Sequence, residues 1–127
     1  MESSVLFIGD AGEYWPTRLT EVLRPLGKLD VSTIEAWPSR SGETYSLIIL
    51  DASSMTDLPS FIRRVLVRQP NAKVVVLSAT SDWELGREAF QAGAIDFIPK
   101  SSTDRELWTA FHTALLVHLP LKRLPHR

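Results

Sequence analysis

Apolar and polar positions alternate in blocks along the chain, and five short apolar blocks predict β-strands. The clearest block, residues 47–50, is entirely aliphatic and ends on Asp51, which is the pattern of a strand buried on both faces. Comparable but less regular segments predict four further strands near residues 5–8, 29–34, 74–77 and 95–98.

Apolar residues at helical spacing separate most of the predicted strands. One helix is predicted between Pro16 and Gly27 and another from Pro59 onward, because proline suits the first turn of a helix and glycine its end. Segment 35–44 shows almost no periodicity. A helix between the second and third strands is therefore predicted to be short or missing.

Two later helices are indicated by capping boxes, in which a hydroxyl residue precedes glutamate by three positions. One pairs Ser81 with Glu84 and precedes a helix that ends at Gly93, and the other pairs Thr103 with Glu106. Strands that alternate with helices predict right-handed crossovers and a parallel sheet covered on both faces. The sequence therefore predicts an α/β fold with a doubly wound, five-stranded sheet.

Length and composition narrow the class of protein. The 127 residues suit one domain, which we expect over residues 1–119, followed by a linker or tail over residues 120–127. A net charge of -1 gives no basic field for nucleic acid or anionic membranes, so direct contact with either is not expected. The chain has no Cys, no membrane-length apolar run and no signal-peptide pattern, which favours a cytoplasmic location.

Candidate chemistry lies at the ends of the predicted strands. Asp10 follows the first strand, Asp51 ends the third, Ser78 follows the fourth and Lys100 follows the fifth. Ligands of doubly wound sheets bind outside the carboxyl ends of the strands, so these side chains are expected to converge. Two carboxylates there favour a hard cation such as Mg²⁺. Asp51 would then attack a phosphoryl donor while the cation and Lys100 neutralise its charge.

This set of residues resembles response-regulator receiver domains over nearly the whole chain. The resemblance implies a flavodoxin-like fold with strand order 2-1-3-4-5. It also implies a signalling module of a two-component system, not an enzyme, although the domain assists its own phosphorylation and dephosphorylation. The matching segments, in chain order, are residues 47–51, Ser78-Ala79, residues 88–94 and Phe97-x-x-Lys100.

The resemblance implies a role for each matching residue. Asp51 matches the phosphoacceptor, while Lys100 and Ser78 match the lysine and hydroxyl that contact the phosphoryl group. Ser78 and Phe97 match the switch pair, in which the aromatic ring moves when the hydroxyl engages phosphate. The implied phosphoryl donor is a histidine kinase or a phosphotransfer protein. A homodimer is expected through the helix after Ser81, the fifth strand and the last helix.

The implied magnesium site departs from the pattern of the family. Asp10, Asp51 and the backbone carbonyl of Ser53 match the metal ligands, but Gly9 stands where the family usually has a further acid. Weak Mg²⁺ binding is therefore expected. Glu13 in the following loop is a substitute ligand, although an acid at this position more often only interacts favourably with the helix dipole.

Each candidate, taken singly, has a purely structural alternative. Asp10 and Asp51 can accept backbone hydrogen bonds in the turns that follow them. Ser78 can bond locally, Lys100 can be a solvated surface charge, and Phe97 can be a core residue.

A second function also fits the sequence, namely a pseudo-receiver that binds partners without phosphorylation. Gly9 favours it, and so does Ser101, which follows Lys100 where the family generally has proline. A cis bond before serine costs about 3 to 4 kcal/mol, so the loop is expected to run differently from that of the family. Asp10, Asp51 and Lys100 favour the phosphoacceptor.

Overall fold

The computed structural model describes residues 3–9, 12–40 and 42–117. Asp10, one of the predicted metal ligands, and the predicted tail at residues 120–127 lie outside the described residues.

The described residues form one parallel sheet with the order β2-β1-β3-β4-β5. The predicted doubly wound, flavodoxin-like fold is therefore confirmed. The strands are β1 (Ser3–Ile8), β2 (Gly27–Ser32), β3 (Leu47–Asp51), β4 (Lys73–Ser78) and β5 (Asp96–Pro99).

Four α-helices lie in the described part of the chain, and the predicted weak helix after β2 is replaced by a 3₁₀ turn. This turn, Trp37–Arg40, lies in the segment that lacks helical periodicity, so the prediction of a short or missing helix is confirmed. A second 3₁₀ turn, Ala52–Ser54, follows β3 directly. The helices are α1 (Tyr14–Leu23), α2 (Leu58–Arg68), α3 (Trp83–Ala92) and α4 (Asp104–Leu116).

Two predicted element ends are wrong at the level of single residues. Gly27 does not end the first helix but begins β2, where a Cβ atom would collide with the backbone carbonyl oxygen of Ser3. Ser81 does not cap α3, because the carboxylate of Asp82 accepts hydrogen bonds from the N–H groups of Glu84 and Leu85. An aspartate is an equally good cap, and its charge also suits the positive end of the helix.

Two further predicted helix signals are confirmed. Thr103 and Glu106 form the complete capping box of α4, with each side chain accepting from the backbone N–H of the other. Gly93 ends α3 with a φ of 123°, a conformation that side-chain-bearing residues rarely adopt.

The core lies in two apolar layers, one on each face of the sheet. Helices α2 and α3 cover one face, and α1 and α4 cover the other. Every residue of β3 is buried, which explains its continuous aliphatic run. None of the described helices has the length and hydrophobicity needed to cross a membrane.

Candidate functional site

The carboxylate of Asp51 lies at the carboxyl end of the central strand β3. Its side chain is mostly buried, and its Oδ1 accepts a hydrogen bond of 3.0 Å from the backbone N–H of Ser53. This bond forms because β3 passes straight into the 3₁₀ turn, where Asp51 acts as the cap. The turn therefore fixes the orientation of the carboxylate.

Lys100, the residue directly after β5, contacts Asp51. Its Nζ lies 2.7 Å from Oδ1 of Asp51 and 3.3 Å from Oγ of Ser53. The lysine and aspartate side chains are only 19% and 12% exposed, so solvent screens this pair less than a surface pair. The structure thus brings together two residues that the sequence places far apart.

Ser78 reaches the same edge of the sheet, but its hydroxyl is engaged locally. Asp51 pairs with Leu77 in the register of β3 and β4, so Ser78 lies one residue further along. The Ser78 hydroxyl accepts a hydrogen bond from the N–H of Thr80 and donates one to the carbonyl of Thr80, both at 3.1 Å. In this conformation it stabilises the turn after β4.

Phe97 lies on β5 with its ring half-buried against α3. A Cβ atom at Gly86 would lie 3.3 Å from the ring, so the glycine makes room for it. The ring also lines an apolar groove of about 480 Å³ together with Trp83 and Phe90, both of which are exposed. Phe97 therefore packs against α3 on its buried side and borders the apolar groove on its exposed side.

The β1 side of Asp51 includes Gly9, which the sequence already connected with the metal site, and Phe7, which the sequence reasoning missed. A Cβ atom at Gly9 would lie 2.9 Å from Cζ of Phe7 and 3.0 Å from Cβ of Asp51. The ring of Phe7 therefore occupies space that a side chain at position 9 needs. Their spacing of two, which puts both residues on one face of an extended chain, was the available signal. Glu13 is exposed just before α1.

Two residues of α1 form a further part of the site that the sequence reasoning missed. The ring of Trp15 lies 4.9 Å from Cζ of Arg18 and 5.9 Å from Nζ of Lys100. Arg18 also donates to the carbonyl of Ser102 and pairs with Asp104, both at 2.7 Å. The spacing of three between Trp15 and Arg18 on a helix was the available signal.

The described oxygen donors fit Mg²⁺ only as a largely hydrated ion. Asp51 supplies one carboxylate and Ser53, two residues further along the chain, has a backbone carbonyl, whereas Asp10 lies outside the described residues. The described residues hold no group of three His, Cys, Asp or Glu side chains suited to a metal. Mg²⁺ accepts one or two carboxylates when water or phosphate completes its shell, so the donor chemistry is compatible with weak binding.

The strand order and the two helical layers define the class of fold, a flavodoxin-like doubly wound sheet. No family model matches the sequence, and no curated protein matches it. Among solved structures, the chain is similar to a response regulator from Thermotoga maritima. The identity is 23%, the TM-score is 0.79, and 92% of this chain and 100% of that chain are covered.

Two further solved structures show what related folds bind. A Burkholderia pseudomallei response regulator with a phosphorylated aspartic acid and a calcium ion is 19% identical, with a TM-score of 0.74, covering 97% of this chain and 71% of that one. The receiver domain of a Pseudomonas aeruginosa sensor histidine kinase, with magnesium in its active-site cleft, is 23% identical, with a TM-score of 0.69, covering 91% and 98%. At these identities the likeness establishes the fold.

Proposed function

We propose that this chain is a phosphoacceptor receiver domain of a two-component system, with Asp51 as the residue that is phosphorylated. The observation that carries the proposal is the 2.7 Å contact between Nζ of Lys100 and Oδ1 of Asp51 at the carboxyl edge of the sheet. A cation in this place can neutralise charge on a phosphoryl group that arrives at the carboxylate. The proposed donor is a phosphohistidine of a kinase or phosphotransfer protein.

We propose different tasks for the two carboxylate oxygens of Asp51. Oδ1 accepts from both Ser53 and Lys100, so we assign Oδ2 as the attacking oxygen. It forms a bond to phosphorus while the P–N bond of the phosphohistidine breaks, and the imidazole leaves with the electron pair of that bond. The product is an acyl phosphate on Asp51. Lys100 stays beside it and offsets the added negative charge.

The proposal includes a weakly bound Mg²⁺ ion. Asp51, the carbonyl of Ser53 and Asp10 are the proposed ligands, with Glu13 as a substitute for the acid that Gly9 replaces. When bound, Mg²⁺ would neutralise charge on the transferring phosphoryl group. Two similar solved structures support this part of the proposal, one with magnesium in its active-site cleft and one with a phosphorylated aspartic acid and a calcium ion.

Ser78 and Phe97 are the proposed switch. Phosphorylation would draw the Ser78 hydroxyl from Thr80 to a phosphoryl oxygen, because a charged acceptor forms the stronger hydrogen bond. The ring of Phe97 is half-buried between α3 and the loop after β4, so it would respond to movement of that loop. We further propose a homodimer through α3, β5 and α4, no direct contact with nucleic acid, and a cytoplasmic location.

Intact-mass measurement after treatment with acetyl phosphate and Mg²⁺ tests the phosphoacceptor. The parent should gain one phosphoryl group and Asp51→Asn should gain none, while circular dichroism shows that both are folded. Asp57→Asn is the matched control, because Asp57 caps the nearby helix α2 from an exposed position. It should gain one group like the parent. Equal labelling of the parent and Asp51→Asn would refute the assignment.

A pseudo-receiver is the second candidate, and the lack of room for a side chain at Gly9, between Phe7 and Asp51, favours it. These residues place apolar and backbone atoms on a side of the carboxylate where a further acid would hold a metal. If the folded parent gains no phosphoryl group from acetyl phosphate or from any histidine kinase tested, the pseudo-receiver becomes the better interpretation.

A further inference from the structure

The loop that carries Lys100 is a tight turn with its own hydrogen bonds. The N–H of Ser102 donates to the carbonyl of Pro99 at 3.1 Å, which is the bond that closes a β-turn, and the Ser102 hydroxyl donates to the same carbonyl at 2.7 Å. Lys100 is the first central residue of this turn, and its N–H donates to the carbonyl of Ser78 at 2.8 Å. The turn therefore sets the direction in which the lysine side chain leaves the backbone.

Arg18 ties this turn to helix α1. Its guanidinium donates to the carbonyl of Ser102 and to the carboxylate of Asp104, both at 2.7 Å, and its side chain is only 19% exposed. Asp104 is 68% exposed, and ion pairs with exposed acids contribute little. Ser102 is buried, so the bond to its carbonyl contributes most to holding the turn against α1.

Trp15, which lies on α1 like Arg18, is close to the ammonium group of Lys100. Two cations lie close to its ring, with Cζ of Arg18 at 4.9 Å and Nζ of Lys100 at 5.9 Å from the centroid. Both distances are within the range of cation–π attraction. Arg18 therefore acts on Lys100 in two ways, through the backbone of the turn and through the tryptophan ring.

We propose that Arg18 is a positioning residue for Lys100. It holds the turn 99–102 and the Trp15 ring so that the lysine ammonium points at Asp51. The kinetic consequence rests on the proposed function, because only a phosphorylated Asp51 makes the position of Lys100 matter for a rate. The structural consequence does not depend on it.

The first test observes the lysine ammonium itself in ¹H–¹⁵N NMR spectra of the labelled full chain, with Lys100→Met used to assign its signal. In the parent, the Lys100 ammonium should give a signal that exchanges slowly with water, since it is held between Asp51 and Ser53. Arg18→Met should abolish this signal or move it to the position of the solvated lysines. Asp104→Ala should leave it unchanged, because the bond to Ser102 remains.

The second test measures the initial rate of phosphoryl incorporation from acetyl phosphate. Arg18→Met should lower the rate about tenfold or more, since small displacements of a catalytic group are costly. Arg18→Lys keeps the charge but loses the forked geometry, so it should recover part of the rate. Arg87→Met is the matched control, because Arg87 also lies over a tryptophan ring, at 5.3 Å from Trp83, and pairs with an acid. It should retain the parent rate.

The two tests separate this inference from the proposed function. A parent that is never phosphorylated contradicts the function, and the NMR result still decides the role of Arg18. The inference is overturned if Arg18→Met keeps the Lys100 signal of the parent, or if the parent shows no slowly exchanging Lys100 signal. It is also overturned if Arg18→Met and Arg87→Met lower the rate equally.

Discussion

The two described sides of Asp51 present opposite kinds of chemistry to the carboxylate. On the β5 side, the ammonium of Lys100 contacts Oδ1 and is itself bounded by Trp15. On the β1 side, the ring of Phe7 and the Cβ atom of Asp51 leave no room for a side chain at Gly9. The lysine side can therefore neutralise charge, while the β1 side has no room for a further side chain at position 9.

This difference indicates that charge neutralisation and metal binding can be separated in such a site. Charge neutralisation by Lys100 needs the ends of β3 and β5, which the fold brings to one edge of the sheet, and the Arg18 bridge that we propose holds the lysine turn. Metal binding needs further oxygen donors, and the space at position 9 is taken by the ring of Phe7. Substitutions on the lysine side should therefore change the phosphorylation rate, whereas substitutions on the β1 side should change stability and Mg²⁺ affinity.

The largest expected effect comes from removing the cation. Lys100→Met should lower the initial rate of phosphorylation by acetyl phosphate about a hundredfold or more, because a buried electrostatic contact to the reacting group is lost. Intact-mass measurement over time gives the rate. Lys73→Met is the control, since Lys73 begins β4 and therefore lies at the amino end of the strands, away from Asp51. It should keep the parent rate. A small effect of Lys100→Met would remove the main support for the phosphoacceptor.

The β1 side should respond through packing. Gly9→Asp should lower the free energy of unfolding by about 2 kcal/mol, because its Cβ atom overlaps the ring of Phe7. In a Phe7→Val background, the same change should cost about 1 kcal/mol less. Urea denaturation of the four proteins measures both values.

The double variant should also bind Mg²⁺ about tenfold more tightly than Phe7→Val alone, since it adds a carboxylate beside Asp51.

Gly42→Asp provides the matched control for this cycle. A Cβ atom at Gly42 meets no neighbour within 4 Å, so the substitution should be nearly neutral in both backgrounds. If Gly9→Asp costs the same with valine as with phenylalanine at position 7, the ring of Phe7 is not what excludes a side chain there.

The fold could be predicted from the sequence because its signals are local and repeat along the chain. Aliphatic blocks and helical stripes fix the sheet, and parallel connections bring the strand ends to one edge. The meeting of Asp51 and Lys100 follows from that topology. The prediction of a short or missing helix in segment 35–44 was also correct, since the segment without periodicity forms a 3₁₀ turn.

The remaining features depend on contacts that no local pattern encodes. The reach of the Phe7 ring to position 9, the Arg18 bridge to Ser102 and the contact of Trp15 with Lys100 join distant elements or depend on rotamers. The choice of Asp82 over its neighbour as helix cap depends on backbone angles that either residue could adopt.

Ser78 offers a smaller effect on the Lys100 side of the comparison. Ser78→Ala should lower the free energy of unfolding by about 1 kcal/mol, since the hydroxyl no longer bonds to Thr80. The backbone bond from Lys100 to the carbonyl of residue 78 stays intact. Thermal or urea denaturation measures the loss. Ser39→Ala is a control for an exposed hydroxyl that bonds to a backbone carbonyl in a turn, and it should cost less.

The smallest effect is expected from the hydroxyl of Ser53. Its Oγ lies 3.3 Å from Nζ of Lys100, a long contact beside the much shorter one to Asp51, and its N–H bond to Oδ1 comes from the backbone. Ser53→Ala keeps that N–H, so the phosphorylation rate should fall less than about threefold. A parallel time course with the parent measures the ratio. A larger loss would show that Ser53, and not only Asp51, holds the ammonium in place, and the lysine side would then depend on the turn after β3 as well.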